Sequence, residues 1–240
     1  METIYIFIAA CQNKTERRED FLLIHKKWKN NISNWQCIDE QIITVNINIL
    51  KTQLTITGVY RPNEDEPVTN TDFFYETLQR VITDFGNNRE LVLIGDFNAR
   101  TGRSSNSNII GRFGEEKSNE NGARLIGLCE QNNLKITNGF LKHKEIYKFT
   151  WTQNTRNLKS IIDYVIVRQD SQVKTINIRV YRGPCCGTDY SLVKATFYVP
   201  PRLLMERLKN EKKNHQKCNM TKYSLYSLND ESTKILFQQR

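Results

Sequence analysis

Leu91-Val92-Leu93-Ile94 carries no polar residue, so the strand it predicts has no face to turn toward water. Other elements must cover it on both sides, and that requirement constrains the fold more than any other feature of the chain. The strand runs directly into Gly95-Asp96-Phe97-Asn98, which places an acid and an amide two residues apart where strand gives way to loop. Further strands are expected at Ile4–Ala10, Phe21–His25 and Gln41–Leu50. In the last of these, Ile43, Val45, Ile47 and Ile49 share one face and Thr44, Asn46 and Asn48 the other. Lys51-Thr52 would turn the chain into a strand over Gln53–Tyr60, ended by Pro62. Thr71–Phe85 predicts a helix with Phe74, Leu78, Val81 or Ile82, and Phe85 inward, Thr71 as its N-cap and Gly86 as its stop. A polar loop over Arg100–Ser118 leads to a second helix, Gly122–Asn132, with Leu125, Leu128 and Cys129 inward. Leu134–Asn138, Phe149–Thr152, Ile161–Val167, Thr175–Tyr181 and Ser191–Val199 read as strands. Many strands, two separated helices and no strict strand–helix alternation predict an α+β or α/β sandwich.

The chain has 240 residues and a formal charge of +9, and 38% of it is hydrophobic, which argues against wholesale disorder. Its longest apolar run, Ile4 to Cys11, falls far short of the roughly 18 residues of a membrane span. No secretory leader is expected, because Glu2 stands where a basic segment would begin. Six cysteines without CxxC spacing then read as reduced thiols of an intracellular protein, nuclear or cytoplasmic. The adjacent Cys185 and Cys186 read the same way, a regulatory disulfide being the alternative. Trp28 and Trp35 read as core or rim aromatics. Residues 201–240 carry nine basic and four acidic side chains, more than half of the net charge. Pro200-Pro201 marks the expected boundary between a folded unit, 1–200, and a basic linker-like tail, 201–240.

Four segments carry polar residues at expected strand ends. Asp96 and Asn98 can orient a water and donate to a phosphoryl oxygen, or simply cap a turn. Asp163 is a lone carboxylate in the apolar run Ile161–Val167, so it either orients another polar group or lies on an exposed face. Gly187-Thr188-Asp189-Tyr190-Ser191 is a polar turn before the last strand. Val59-Tyr60-Arg61-Pro62-Asn63 presents a phenol, a guanidinium and an amide. Together they point to an oxygen-ligand metal site acting on phosphate.

Val59–Asn63, Gly95–Ala99, Phe149–Thr152, Ser160–Val167 and Gly187–Val193 resemble five motifs of the endonuclease/exonuclease/phosphatase superfamily. The nearest likeness is to the apurinic-type endonuclease domain of non-LTR retrotransposons. The stretches Glu16–Trp28 and Asn121–Leu125 also resemble that group, and the likeness spans residues 3–199. It implies a four-layer α/β sandwich, two packed mixed sheets flanked by helices, hydrolysing DNA phosphodiesters with Mg²⁺. By the same resemblance Asp96 would orient the attacking water or protonate the leaving oxygen, and Asn98 would hold the phosphate or water. Tyr60 and Asn63 would contact phosphate, Trp151 would line the groove, and Asp189 with Asp96 would bind the metal. Asp163 would pair with the catalytic base.

Two departures from the family pattern weaken the expected activity. The base is a His directly after the Asp of the last motif, and here that position is Tyr190; His25, His143 and His215 fall elsewhere. A phenol titrates near pH 10, and a carboxylate beside it disfavours phenolate further. Losing general-base catalysis typically costs about 10²–10⁴-fold. The likeness also begins after the family's first two strands, which carry a catalytic Asn and a metal-binding Glu. Mg²⁺ is then expected to bind weakly, Tyr190→His to restore little, and sheet edges to be left uncovered. The alternative is a catalytically inactive remnant that binds DNA or RNA through Arg100, Arg103, Arg112 and the basic tail, with steep salt dependence. No membrane or obligate protein partner is expected.

Overall fold

The computed structural model describes residues 2–12, 18–49, 52–61, 67–86, 89–181 and 191–200. In chain order the strands begin with β1 (Glu2–Gln12), β2 (Arg18–Ile24), β3 (Ile32–Cys37), β4 (Ile42–Ile49) and β5 (Thr52–Tyr60). Helix α1 (Val68–Asp84), strand β6 (Glu90–Asp96) and helix α2 (Glu120–Gln131) follow. The chain then forms β7 (Leu134–Ile136), β8 (Trp151–Gln153), β9 (Leu158–Ser160), β10 (Asp163–Arg168), β11 (Lys174–Tyr181) and β12 (Leu192–Val199). They build a six-stranded mixed sheet, β3-β4-β5-β6-β10-β7, and a four-stranded sheet, β11-β12-β1-β2. β8 and β9 form a small separate ladder.

β6 holds the centre of the six-stranded sheet, and all seven of its residues are buried, as its apolar run Leu91–Ile94 requires. Val92 and Ile94 face the four-stranded sheet, in a core with Ile6, Ile56, Val165 and Phe197. Leu91 and Leu93 face the two helices, packing with Phe74, Leu78, Leu125 and Ile166. Parallel pairing occurs between β5 and β6, the two strands joined through α1. The sandwich expected from the sequence is therefore present, with helices, six-stranded sheet and four-stranded sheet as successive layers.

The start of α1 differs from expectation. The helix begins at Val68 behind Pro67, with no side-chain cap, and Thr71 sits inside it, buried. The Thr71 hydroxyl accepts from the Arg61 guanidinium at 2.8 Å, so a tertiary partner takes the group that would have capped. α2 begins earlier than expected, because Asn119 caps it through Gly122 N–H (2.8 Å). A 3₁₀ turn over Lys26–Asn31 and the edge strand β3 lie where no element was expected. Trp28 is a core residue, whereas Trp35 on β3 is 65% exposed. β12 has no open edge, since β1 pairs along it from Glu2–Val199 to Ile8–Val193. No described helix is long and apolar enough to cross a membrane. The described residues all fall in one compact unit, Met1–Leu204, and residues 205–240 lie outside the described residues.

Candidate active site

The register of three neighbouring strands brings three of the expected residues into one row. Tyr60 on β5 lies opposite Asp96 on β6, and Asp96 lies opposite Asp163 on β10. Directly opposed residues project from the same face of a sheet, with Cβ atoms of an antiparallel pair about 5 Å apart. Asp96 stands two residues beyond Ile94, and Asp163 two before Val165, both members of the inter-sheet core. Side chains alternate along a strand, so the row faces the inter-sheet space at the C-terminal ends of β5 and β6.

Gly95 makes this junction. A Cβ there would lie 1.8 Å from the Val59 carbonyl oxygen, so only glycine lets β5 and β6 close next to the row. Asp96 is fully buried, and its Oδ1 accepts from Asn98 N–H at 2.8 Å. Its own carbonyl accepts from Arg61 N–H (2.8 Å). Asn98 adopts φ 44°, and its Nδ2 donates to the Arg61 carbonyl at 2.6 Å. The Asp-x-Asn segment is thus both a built turn and a stitch between the ends of β5 and β6. Asn121 at the start of α2 donates to the Asn98 carbonyl (3.1 Å), fixing the turn from the helix side.

Asp163 is buried rather than on an exposed face, at 4% exposure. Burial pushes its carboxyl up to about 6, and a hydrogen bond from Thr150 offsets part of the rise. Its Oδ2 has no hydrogen-bond partner. Thr150 also accepts from Ile162 N–H (3.1 Å) and Asp163 N–H (3.2 Å). The Thr150 carbonyl receives Ser191 N–H at 3.0 Å. Asn63, Asp189 and Tyr190 lie outside the described residues, as do Cys185 and Cys186. Ser191 is the first described residue after Tyr190, so Thr150 ties the near end of that motif to the Asp163 neighbourhood.

Trp151 is half-buried on β8 and pairs with Ser160. Arg100 is half-buried, with its backbone N–H and carbonyl held by Asn119 (2.9 and 3.0 Å). One buried residue went unforeseen. Glu115, from the polar loop, accepts from the Ser160 hydroxyl (2.9 and 3.1 Å) and from Ile161 N–H (3.2 Å). Burial raises its carboxyl, offset by those hydrogen bonds and by the charges of Arg100 and Lys148. Glu115 thereby anchors the approach to Asp163 from 45 residues away. Among the described residues no three His, Cys, Asp or Glu side chains form a metal cluster.

The sequence pattern of the family described as endonuclease-reverse transcriptase matches residues 54–189. Craniofacial development protein 2 of Bos taurus is 30% identical over 199 residues, covering 82% of this chain and 34% of that protein. The same protein of Tragulus javanicus is 29% identical over 199 residues, covering 82% of this chain and 35% of its own length. The chain thus spans about a third of the length of the curated relatives it matches. Among solved structures, the endonuclease domain of TRAS1, a telomere-specific non-LTR retrotransposon, superposes with a TM-score of 0.54 at 16% identity. That match covers 81% of this chain and 79% of the other. The AP endonuclease LMAP of Leishmania major superposes with a TM-score of 0.53 at 13% identity, covering 82% and 71%. At these identities the structural likeness establishes a shared fold.

Proposed function

The chain belongs to the endonuclease–reverse transcriptase family, and from that premise we propose that residues 1–200 form a phosphodiesterase-type DNA endonuclease domain of retrotransposon origin, dependent on a divalent metal. The observation that carries the reading is the row of Tyr60, Asp96 and Asp163 at the ends of three adjacent strands. Phosphodiester hydrolysis needs a group to direct a water's proton and donors to hold phosphoryl oxygens, gathered in one place. Mg²⁺ takes oxygen ligands, commonly one or two carboxylates, with waters completing its shell. The site suits such an ion in kind: Asp96 and Asp163, two buried carboxylates, stand side by side, and Asp163 Oδ2 has no hydrogen-bond partner. Asp96 and Asp189 would hold the ion, which when bound would supply positive charge against the phosphoryl oxygens.

The rest falls to the chain's own side chains. Asp96 orients the attacking water or protonates the leaving oxygen. Tyr60 and Asn63 contact the phosphate, and Asn98 keeps one amide hydrogen to offer beside the one committed to Arg61. Trp151 lines the groove, and Arg100 would supply positive charge for a neighbouring phosphate. By the family resemblance Asp163 would pair with the group at the base position, here Tyr190, and a phenol accepts a proton poorly at neutral pH because its ordinary titration lies near pH 10. Turnover is therefore expected to be about 10²–10⁴-fold below that of a His-based site.

A plasmid-nicking assay with and without Mg²⁺ tests the reading. Slow metal-dependent nicking, abolished by Asp96→Ala and raised only a little by Tyr190→His, is the expected result. Nicking that survives Asp96→Ala would overturn the site. The second reading, an inactive DNA- or RNA-binding remnant, is favoured by Tyr190 itself. Salt-dependent binding without nicking, in the wild type and in the Tyr190→His variant alike, would select it.

A further inference from the structure

A second opening of the inter-sheet space lies away from the catalytic row, between the edge strands β7 and β11. Val167, on its wall, stands four residues along β10 from Asp163, about 13 Å at the usual strand rise. The cleft has a volume of about 370 Å³, within the range of small-ligand sites, roughly 300–1,000 Å³. One part of its wall is apolar, formed by Leu141, Val167, Val173 and the half-exposed ring of Phe140. The other part is cationic. Lys135 of β7 and Lys174 of β11 both line it.

The charges of Lys135 and Lys174 repel each other across the cleft, and no acidic side chain is among the described residues that line it. Burial and the charge of Lys174 hold the Lys135 ammonium below the ordinary lysine range. Lys174 Nζ donates to the Ser171 carbonyl at 2.7 Å, an acceptor that carries no net charge. Glu90, behind Ser171, is engaged elsewhere: its oxygens accept from Ser171 Oγ (2.5 Å) and Gln172 N–H (2.8 Å). Thr175 also lines the cleft, and its buried hydroxyl has no hydrogen-bond partner. A β-bulge follows it, since Thr175 pairs with Phe197 and Asn177 with Thr196, leaving Ile176 as the extra residue. Bulges of this kind re-aim neighbouring side chains. The cleft thus combines two cationic side chains, a hydroxyl without a hydrogen-bond partner and an apolar wall.

We propose that this cleft binds a phosphate monoester of nucleotide size, its phosphate held by Lys135, Lys174 and the Thr175 hydroxyl, its apolar part against Phe140, Leu141 and Val167. A phosphate dianion would relieve the repulsion between the lysines and give the hydroxyl an acceptor. The cleft acts independently of the strand-end row, so its occupancy does not rest on the nuclease reading.

Isothermal titration of the full chain in EDTA, with deoxyadenosine monophosphate, inorganic phosphate and deoxyadenosine as separate probes, tests it. The monophosphate should bind at one site, inorganic phosphate at least tenfold more weakly, and deoxyadenosine not at all. Lys135→Met with Lys174→Met should weaken the monophosphate at least tenfold with the melting midpoint retained. Lys135→Arg with Lys174→Arg should keep it, and Thr175→Val, close in shape, should weaken it if the lysine pair proves too disruptive. Asp96→Ala should leave it unchanged. Absence of binding, indifference to both the Lys→Met pair and Thr175→Val, or loss on Asp96→Ala would each overturn the proposal.

Discussion

Glu115 shows what a buried carboxylate does when its partners are neutral. It receives Ser160 Oγ and Ile161 N–H, so truncation strands a buried hydroxyl and a backbone donor just ahead of Asp163. Glu115→Ala should cost about 2 kcal/mol, the usual penalty for such unsatisfied groups, whereas Glu115→Gln keeps an acceptor and should cost less. The two variants also separate charge from hydrogen bonding. Burial places the folded carboxyl above its unfolded value, so as pH rises the unfolded chain loses its proton first. Its contribution is most favourable below the unfolded pKa and declines as pH rises through the folded one. Denaturant melts of wild type and Glu115→Gln from pH 4 to 7 should show the wild type losing stability relative to the variant as pH rises. Parallel curves would sink the assignment. Nothing in the sequence marked Glu115, because its meaning comes from a contact across 45 residues. Asp163 was legible because a carboxylate inside an apolar run demands an explanation on its own strand.

Elements were legible where burial was one-sided or complete. β6 declares itself by having no polar face, and α1 and α2 by apolar positions at helical spacing. β3 was not, because all six of its residues are exposed and no alternation marks an edge strand that water touches on both sides. The row of Tyr60, Asp96 and Asp163 depends on strand register, which a single sequence does not carry; the motifs named the residues and only the pairing shows that they meet. Two joints hold the row in place, and each yields a prediction. At Gly95, a methyl group would meet the Val59 carbonyl at 1.8 Å, so β5 and β6 must part at the point where Tyr60 faces Asp96. Gly95→Ala should cost roughly 3 kcal/mol or more and abolish nicking. A stable, active variant would show that the strands part without consequence. At α2, Asn119 Oδ1 serves both Gly122 N–H and Arg100 N–H, tying the helix start to the strand-end loop. Asn119→Ala should cost about 1–2 kcal/mol, lowering the melting midpoint by several degrees. An unchanged midpoint would mean that water replaces the cap.

At the scale of the whole molecule, charge and core are separated along the chain. Both described core clusters are built from residues between Ile4 and Val199, and the compact unit they stabilise ends at Leu204. Residues 201–240, by contrast, hold nine basic side chains against four acidic ones. Stability and polyanion affinity should therefore respond to different parts of the sequence. Each phosphate neutralised by Lys or Arg releases condensed counterions, so the slope of log affinity against log salt counts the contacts made, at about −0.9 per phosphate on duplex DNA. A chain ending at Pro200 should melt cooperatively within a few degrees of the full chain, because the residues that bury the core are retained. Its affinity for plasmid should fall, and its salt slope should become shallower by several units if the tail engages DNA. Calorimetry and filter binding between 50 and 200 mM salt, on both chains, measure the two quantities independently. A lower midpoint with an unchanged slope would place the tail in the core and the phosphate contacts in the strand-end loops, reversing the division of labour argued from the charge.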